Sequence, residues 1–330
     1  MKIFKKSLTI LLLASCFFFF PSPIQAQQMN LSISPPLLEV TIKPGKTITQ
    51  VFNIKNNGED IQLYSQIIPF YPKGKQGKIQ LDQNFLNPFT NPSKTGKYQY
   101  LNWFSLQNAG LELGDSFTIK EGEKQQLVLK IRVPETAEQK DYWTALALRT
   151  TPTIDLNKQQ VSASGILTSN ILLTVSETKD WPKKGTAEIN LANKLCLLKN
   201  NLCLPVVDSF QQPRFAVTVQ NQTNHFYKPE GTITVKNLFN KEIDTIKILP
   251  NNVLSQTQRN LECQKNQETA PCRTRPLNFG FYKASLEIDL VPTNTFTASF
   301  FVLPYKLGLA LGIMIIILIY LRKKLALDKD

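Results

Sequence analysis

At 330 residues the chain leaves about 27–299 between two apolar ends, a length that suits two domains of ordinary size. The net charge is +13, but the basic residues are dispersed. Nucleic-acid binding would want a basic stripe interleaved with aromatics, so no nucleic-acid partner is expected. Between the ends 30 basic residues stand against 23 acidic ones. That excess suits a solvated surface, or attraction to anionic envelope polymers or lipid headgroups.

Residues 1–26 read as a secretory signal. Lys2, Lys5 and Lys6 precede an apolar run over 8–20, Pro21 ends it, and Ile24-Gln25-Ala26 supplies the cleavage pattern. Leu13-Ala14-Ser15-Cys16 also resembles a lipobox, in which Cys16 would carry a lipid. The four phenylalanines at 17–20 fit a continuing signal core better.

Beyond the signal, strand alternation replaces helical periodicity. Leu127, Leu129, Ile131 and Val133 alternate with Gln126, Val128, Lys130 and Arg132; Phe215, Val217 and Val219 repeat the pattern, as do Ala284, Leu286, Ile288 and Leu290. Turn signals at Pro44-Gly45, Asn57-Gly58, Glu121-Gly122 and Glu230-Gly231 separate the runs. Asn56-Asn57-Gly58 offers the left-handed conformations of a hairpin turn. The spacing predicts an all-β chain of two β-sandwiches, 27–176 and 187–299, joined by a polar linker at 177–186.

The first sandwich is long for its class, and the surplus falls at 70–107. A long insertion on a rigid scaffold often carries binding residues. Its Tyr98, Tyr100, Trp103 and Phe104 are therefore candidate partner contacts, unless they only pin the loop to the sandwich. Four cysteines remain after the signal, in two close pairs. Outside the reducing cytoplasm these read as disulfides. Three connectivities are open, and local pairing, Cys196 with Cys203 and Cys263 with Cys272, is the expectation. Lys199-Asn200-Asn201 would lie near the turn between the first pair. Zinc held by all four thiolates is the rival, but six and eight intervening residues exceed the usual spacing.

Residues 307–321 carry no charge, and Arg322, Lys323 and Lys324 follow at once. A single transmembrane helix is expected over 300–321, its upstream part supplied by 300–303 and Tyr305. Lys306 would snorkel, and Tyr305 and Tyr320 would sit in the aromatic belts. Basic residues favour the cytoplasmic side, so 322–330 should lie inside and the bulk of the chain outside.

Several strings resemble one family. Ser34-Pro35-Pro36 with Leu38-Glu39-Val40, Lys43-Pro44-Gly45-Lys46 and Phe52-Asn53-Ile54-Lys55-Asn56 is similar to the opening of the WxL-interacting proteins, two-domain membrane-anchored proteins of bacterial surfaces. Ile119-Lys120-Glu121-Gly122-Glu123, Tyr142-Trp143-Thr144-Ala145-Leu146 and Lys228-Pro229-Glu230-Gly231 continue the likeness, as do Val253-Leu254 with Arg259 and Gly280-Phe281-Tyr282. The two cysteine pairs depart from that family. The resemblance implies two Ig-like sandwiches at the cell surface, with a cell-wall protein or peptidoglycan as partner.

Nothing in the chain spells a catalytic set. Its one histidine, His225, reads as part of a loop between strands, and no Gly-x-Ser-x-Gly elbow, His-Glu-x-x-His helix or phosphate-cradling glycine loop appears. No cofactor or metal is expected. The reading is a non-enzymatic, membrane-anchored surface protein that binds an envelope protein or polymer. The alternatives are a surface enzyme acting on wall glycan and an assembly factor resembling pilus chaperones. Asn30-Leu31-Ser32 and Asn221-Gln222-Thr223 match the glycosylation pattern, relevant only in a host with that machinery.

Overall fold

Residues that alternate in the sequence alternate in burial: Leu127, Leu129, Ile131 and Val133 lie at 0–1% exposure, and Lys124 and Arg132 face solvent. The computed structural model describes residues 30–86, 95–150, 154–155, 160–161, 165–196, 203, 205–265, 268–292 and 295–327. The expected signal peptide, Cys16, the turn at 199–201 and the side chains of Lys323 and Lys324 lie outside the described residues.

The first sandwich opens with β1 (Leu31–Ser34), β2 (Leu37–Ile42), β3 (Thr47–Asn56), β4 (Ile61–Lys73), β5 (Lys78–Leu81) and β6 (Phe104–Leu106). It continues with β7 (Ser116–Ile119), β8 (Lys124–Arg132), β9 (Asp141–Thr150), β10 (Ile154–Asp155), β11 (Gln160–Val161) and β12 (Ile166–Val175). One sheet runs β1-β3-β8-β6; the other runs β2-β12-β9-β4-β5, with β7 on β4, and β10 and β11 form a small ribbon. Pro35 and Pro36 carry the chain from one sheet to the other. Neither has an amide to donate, so the ladder breaks there. Their carbonyls still accept, from Ser169 Oγ at 2.6 Å and Asn170 N at 3.0 Å. Beyond this crossing β2 runs parallel to β12. Phe52, Ile54, Leu63, Ile119 and Leu146 fill the space between the sheets.

The Asn56-Asn57-Gly58 turn is not a hairpin. It joins β3 in one sheet to β4 in the other, and Gly58 is absent from the positive-φ glycines. Asn56 is buried, and its amide donates to the carbonyls of Glu59, Ile119 and Lys120, which fixes this corner between sheets.

The second sandwich comprises β13 (Gly185–Leu191), β14 (Leu195–Cys196), β15 (Pro205–Asp208), β16 (Phe215–Asn221), β17 (Gly231–Asn237) and β18 (Glu242–Ile248). Then come β19 (Gln258–Leu261), β20 (Cys263–Lys265), β21 (Glu268–Ala270), β22 (Gly280–Ile288) and β23 (Phe296–Leu303). A β13-β16-β19 sheet packs on an eight-stranded one ordered β14-β15-β23-β22-β17-β18-β20-β21. Both cysteine pairs are locally bridged, Cys196–Cys203 at the β14 edge and Cys263–Cys272 in the core.

The C-terminal helix α1 spans Tyr305–Leu327. It starts later than the sequence suggests, because 300–303 complete β23. Phe300 and Val302 are fully buried, and Phe300 packs against Phe215 and Tyr282 with ring centroids 5.9 and 5.8 Å apart. Over Tyr305–Arg322 the mean hydropathy is 1.9 and none of the window is buried. The 17 residues from Tyr305 to Leu321, ahead of Arg322, cover about 25 Å at about 1.5 Å each, so a bilayer core of about 30 Å is spanned only with Lys306 and Arg322 snorkelling at the ends.

Phe300→Ala should therefore cost about 3–5 kcal/mol, the range for truncating a buried phenylalanine. Denaturant unfolding of the full chain in nanodiscs checks this; an unchanged midpoint would return Phe300 to the lipid-facing side.

Candidate functional site

Three strands of the first sandwich depart from alternation, and this locates the site. Residues 67–70 of β4, 144–148 of β9 and 171–175 of β12 are buried without interruption. Such a run means a sheet covered on both faces. The inner face meets its own sandwich. The outer face, centred on Phe70, Ala145 and Leu172 with Trp143, Ile79 and Leu81 beside them, meets Phe226 and Leu254 of the second sandwich.

A polar joint closes one side of this contact. The Asp141 side chain at the start of β9 is fully buried and accepts from Thr174 Oγ1 at 2.7 Å and from the Phe226 amide. His225 Nδ1 lies 3.4 Å from its carboxylate, and the Asp141 amide donates to Asn224 O at 3.2 Å. Trp181 of the linker packs on His225, centroids 4.6 Å apart, and donates to Phe226 O. Burial pushes the Asp141 carboxyl above its ordinary value, against the opposing pull of Thr174, the Phe226 amide and His225. The histidine thus belongs to the hinge. Asn221 belongs there too: its amide donates to the carbonyls of His225 and Val253 and is buried, so the folded chain offers no glycosylation acceptor at that position.

On the other side the sandwiches leave a cleft. Glu39 accepts from Lys228 Nζ at 2.6 Å and from the Asn252 amide. The β4–β5 turn reaches across, where Lys75 O accepts from Asn260 N at 2.7 Å. Arg259 lies over Gly77, whose φ is +70° and where a Cβ would fall 2.5 Å from the guanidinium. Between these contacts is a cavity of about 230 Å³, lined by Leu37, Phe70, Ile79 and Leu172 of the first sandwich and Leu254 and Arg259 of the second.

Three residues that line this cavity each hold a side-chain polar atom that is buried without a partner: Asn170 Oδ1, Asn252 Oδ1 and Arg259 Nε. Burial lowers the Arg259 pKa from its ordinary value, with Glu262 opposing. Its Nη1 donates to Asn252 O at 2.6 Å, and among the described residues no carboxylate lies within ion-pair distance of it. Unsatisfied buried polar groups are costly, and three of them in the wall of one cavity call for a partner there, ordered water or a ligand. An apolar floor with one cation and two acceptors suits an extended segment that carries backbone donors and an acidic group.

The aromatics of the insertion sit elsewhere. Phe104 is in the core, and Tyr100 and Trp103 pack on Tyr142 with centroids 4.9 and 4.8 Å away. Tyr98 meets Phe85 edge-on and donates to Asp82 at 2.6 Å, where Tyr71 also donates. Those hydrogen bonds, with Lys97 nearby, hold the Asp82 carboxyl below its ordinary range despite desolvation, which is the largest influence and acts upward. All four rings touch the sandwich that carries them. The disulfide cysteines lie outside the cleft, and Tyr305, Lys306, Tyr320 and Arg322 lie on α1. Sequence reasoning met Arg259 only as a scaffold residue and missed Asp141, Asn170 and Asn252. The signal available was the uninterrupted burial-type run Ala145-Leu146-Ala147-Leu148.

No family model matches the chain, and no curated protein matches it. Among solved structures it is similar to the class 5 fimbriae chaperone CfaA, at 10% identity and a TM-score of 0.35 over 83% of this chain and all of that one. The E. coli chaperone DraB matches at 11% identity and 0.35, over 82% of this chain and 98% of that one. A Porphyromonas gingivalis W83 protein of unknown function matches at 11% identity and 0.27, over 82% and 99%. At these identities and TM-scores the likenesses transfer neither partner nor mechanism.

Asp141→Ala should cost about 1–3 kcal/mol by orphaning the Phe226 amide and Thr174. A carboxyl whose folded pKa is raised binds protons more tightly when folded, so its stabilising share falls as pH rises from about 3.9 towards the folded value. The stability gap between wild type and variant is therefore widest near the acid end of that window and narrows above it, as paired denaturation curves across pH will read.

Proposed function

We propose that the protein is a non-enzymatic binding protein held at the outer side of a membrane by α1, which takes an extended segment of another envelope protein into its interdomain cleft. The observation that carries this reading is the set of residues in the cavity wall whose side chains lack a polar partner, Arg259 at Nε with Asn170 and Asn252 at their side-chain oxygens. A peptide supplies both donors and a carboxylate, and the apolar lining favours it over a glycan. The basic residues that follow the apolar stretch support a cytoplasmic tail and an extracytoplasmic pair of sandwiches. His225, fixed between Asp141 and Trp181, supports a structural role for the one imidazole. The strings shared with WxL-interacting proteins support the same kind of surface protein.

One feature favours the assembly-factor version of this reading. β12 pairs with β9 from Ile166 to Thr174 but with β2 only from Asn170 onward. Among the described residues, 166–168 thus have no strand paired on that side, beside the cleft residues Leu37 and Asn170, where a partner could add a strand.

A photo-crosslinking residue at Ile79 of the full chain, in its native envelope, tests the proposal. The expected product joins Ile79 to an acidic or C-terminal segment of an extracytoplasmic protein. Arg259→Ala should lower its yield about tenfold or more, since a hydrogen bond to a charged group is worth about 1.5–3 kcal/mol. A product no stronger than from a probe at exposed Val51, or indifferent to Arg259→Ala, would count against it.

A further inference from the structure

The second sandwich carries an apolar tip at one end. Phe210 is 73% exposed, Leu238 69%, Phe239 84% and Phe279 65%. These residues are far apart in sequence, and the sheet gathers them. Parallel pairing of β15 with β23 sets Asp208 beside Leu303, so Phe210 follows at the end where the chain leaves for α1. Antiparallel pairing of β22 with β23 sets Gly280 beside Val302, and Phe279 meets Phe301 edge-on with centroids 5.2 Å apart. Pairing of β17 with β22 sets Asn237 beside Tyr282, which brings the turn bearing Leu238 and Phe239 to the same end. At about 4.8 Å per strand the row from Phe210 to this turn is roughly 15–20 Å wide.

This end is fastened to the helix. Asp208 is fully buried; its carboxylate accepts from the Phe210 amide at 3.0 Å and from the Lys306 amide in the first turn of α1 at 3.0 Å. Ser209 N donates to Leu303 O at 3.3 Å. One buried carboxylate thus holds both the Phe210 turn and the point where α1 starts. The surrounding charges are mainly basic. Arg214, Lys236, Lys241 and Lys306 are exposed near the tip, with Glu242 as the acidic neighbour.

We infer that this tip rests in the bilayer surface, with Phe210, Leu238, Phe239 and Phe279 among the headgroups and upper acyl chains and the basic residues on anionic lipid. The inference rests on the reading of α1 as a membrane span. Its occupant follows from continuity: the lipid that surrounds α1 begins where these side chains are exposed. Aromatic and aliphatic groups flanked by basic ones favour that interface. The second sandwich is then seated on the membrane, not swinging from a single helix.

The test is full-length protein with Cys16→Ser, in nanodiscs of phosphatidylcholine with or without phosphatidylglycerol, labelled with an environment-sensitive fluorophore at Phe239→Cys. Parallel samples carry the label at Gly312→Cys and Val51→Cys. The Phe239 label should show blue-shifted emission, quenching by lipid-borne nitroxide and protection from iodide, all enhanced by phosphatidylglycerol. The Gly312 label should be quenched by deeper nitroxide, and the Val51 label by iodide alone. A Phe239 label that behaves like the Val51 label, while Gly312 reports lipid, overturns the seated tip and leaves the anchor standing. Water exposure at Gly312 overturns the anchor and the inference with it.

Discussion

The constraint on which the rest depends is that one sheet of the first sandwich is buried on both faces. β4, β9 and β12 would present Phe70, Ala145 and Leu172 to water if the second sandwich were absent. Covering that face brings the two domains together, and a burial of this kind is favourable in proportion to area but has no direction of its own. Direction comes from Asp141. A buried carboxyl group accepting from Thr174 and the Phe226 amide, with His225 Nδ1 against it, tolerates few alternative arrangements, so the second sandwich docks in one orientation. The cleft on the opposite side follows from that docking. Arg259 is placed over Gly77, and Asn170 faces the same cavity as Asn252.

The strand plan was legible because each strand with one wet face writes its burial as a period of two. Leu127 to Val133 and Ala284 to Leu290 read correctly for that reason. Two places were misread for other reasons. Phe300 and Val302 alternate as a strand does, yet their closeness to an apolar helix made them look like part of it. Asn56-Asn57-Gly58 has hairpin chemistry, but a buried asparagine tying three carbonyls makes a corner between sheets instead. Local residue preferences are satisfied by both outcomes, and only the long-range pairing of β3 and β4 with different partners decides.

The cleft was much less legible. Its groups come from β12, from the turn between β4 and β5, and from β19 and the segment before it, and sequence separation hides their meeting. Arg259 in isolation is an ordinary half-exposed arginine. It acquires a role only when desolvated beside two unpartnered amide oxygens. The aromatics of the insertion drew attention because a long insertion on a rigid scaffold often carries binding residues; here Asp82 and Tyr142 hold them on the sandwich, with Tyr98, Tyr100 and Trp103 part-exposed. The architecture that results has an order along its length: an exposed apolar helix, a sandwich tied to it through Asp208, and a cleft beyond.

The central claim is that the buried joint at Asp141 holds the cleft open and shaped before any partner arrives. Electron-electron distance measurements between spin labels at Val51 and Thr245, one on each sandwich, test it most directly on the full chain in nanodiscs. The account predicts one narrow distance distribution without a partner, which broadens in Asp141→Ala. A broad distribution in the unaltered protein, indifferent to Asp141, would contradict it.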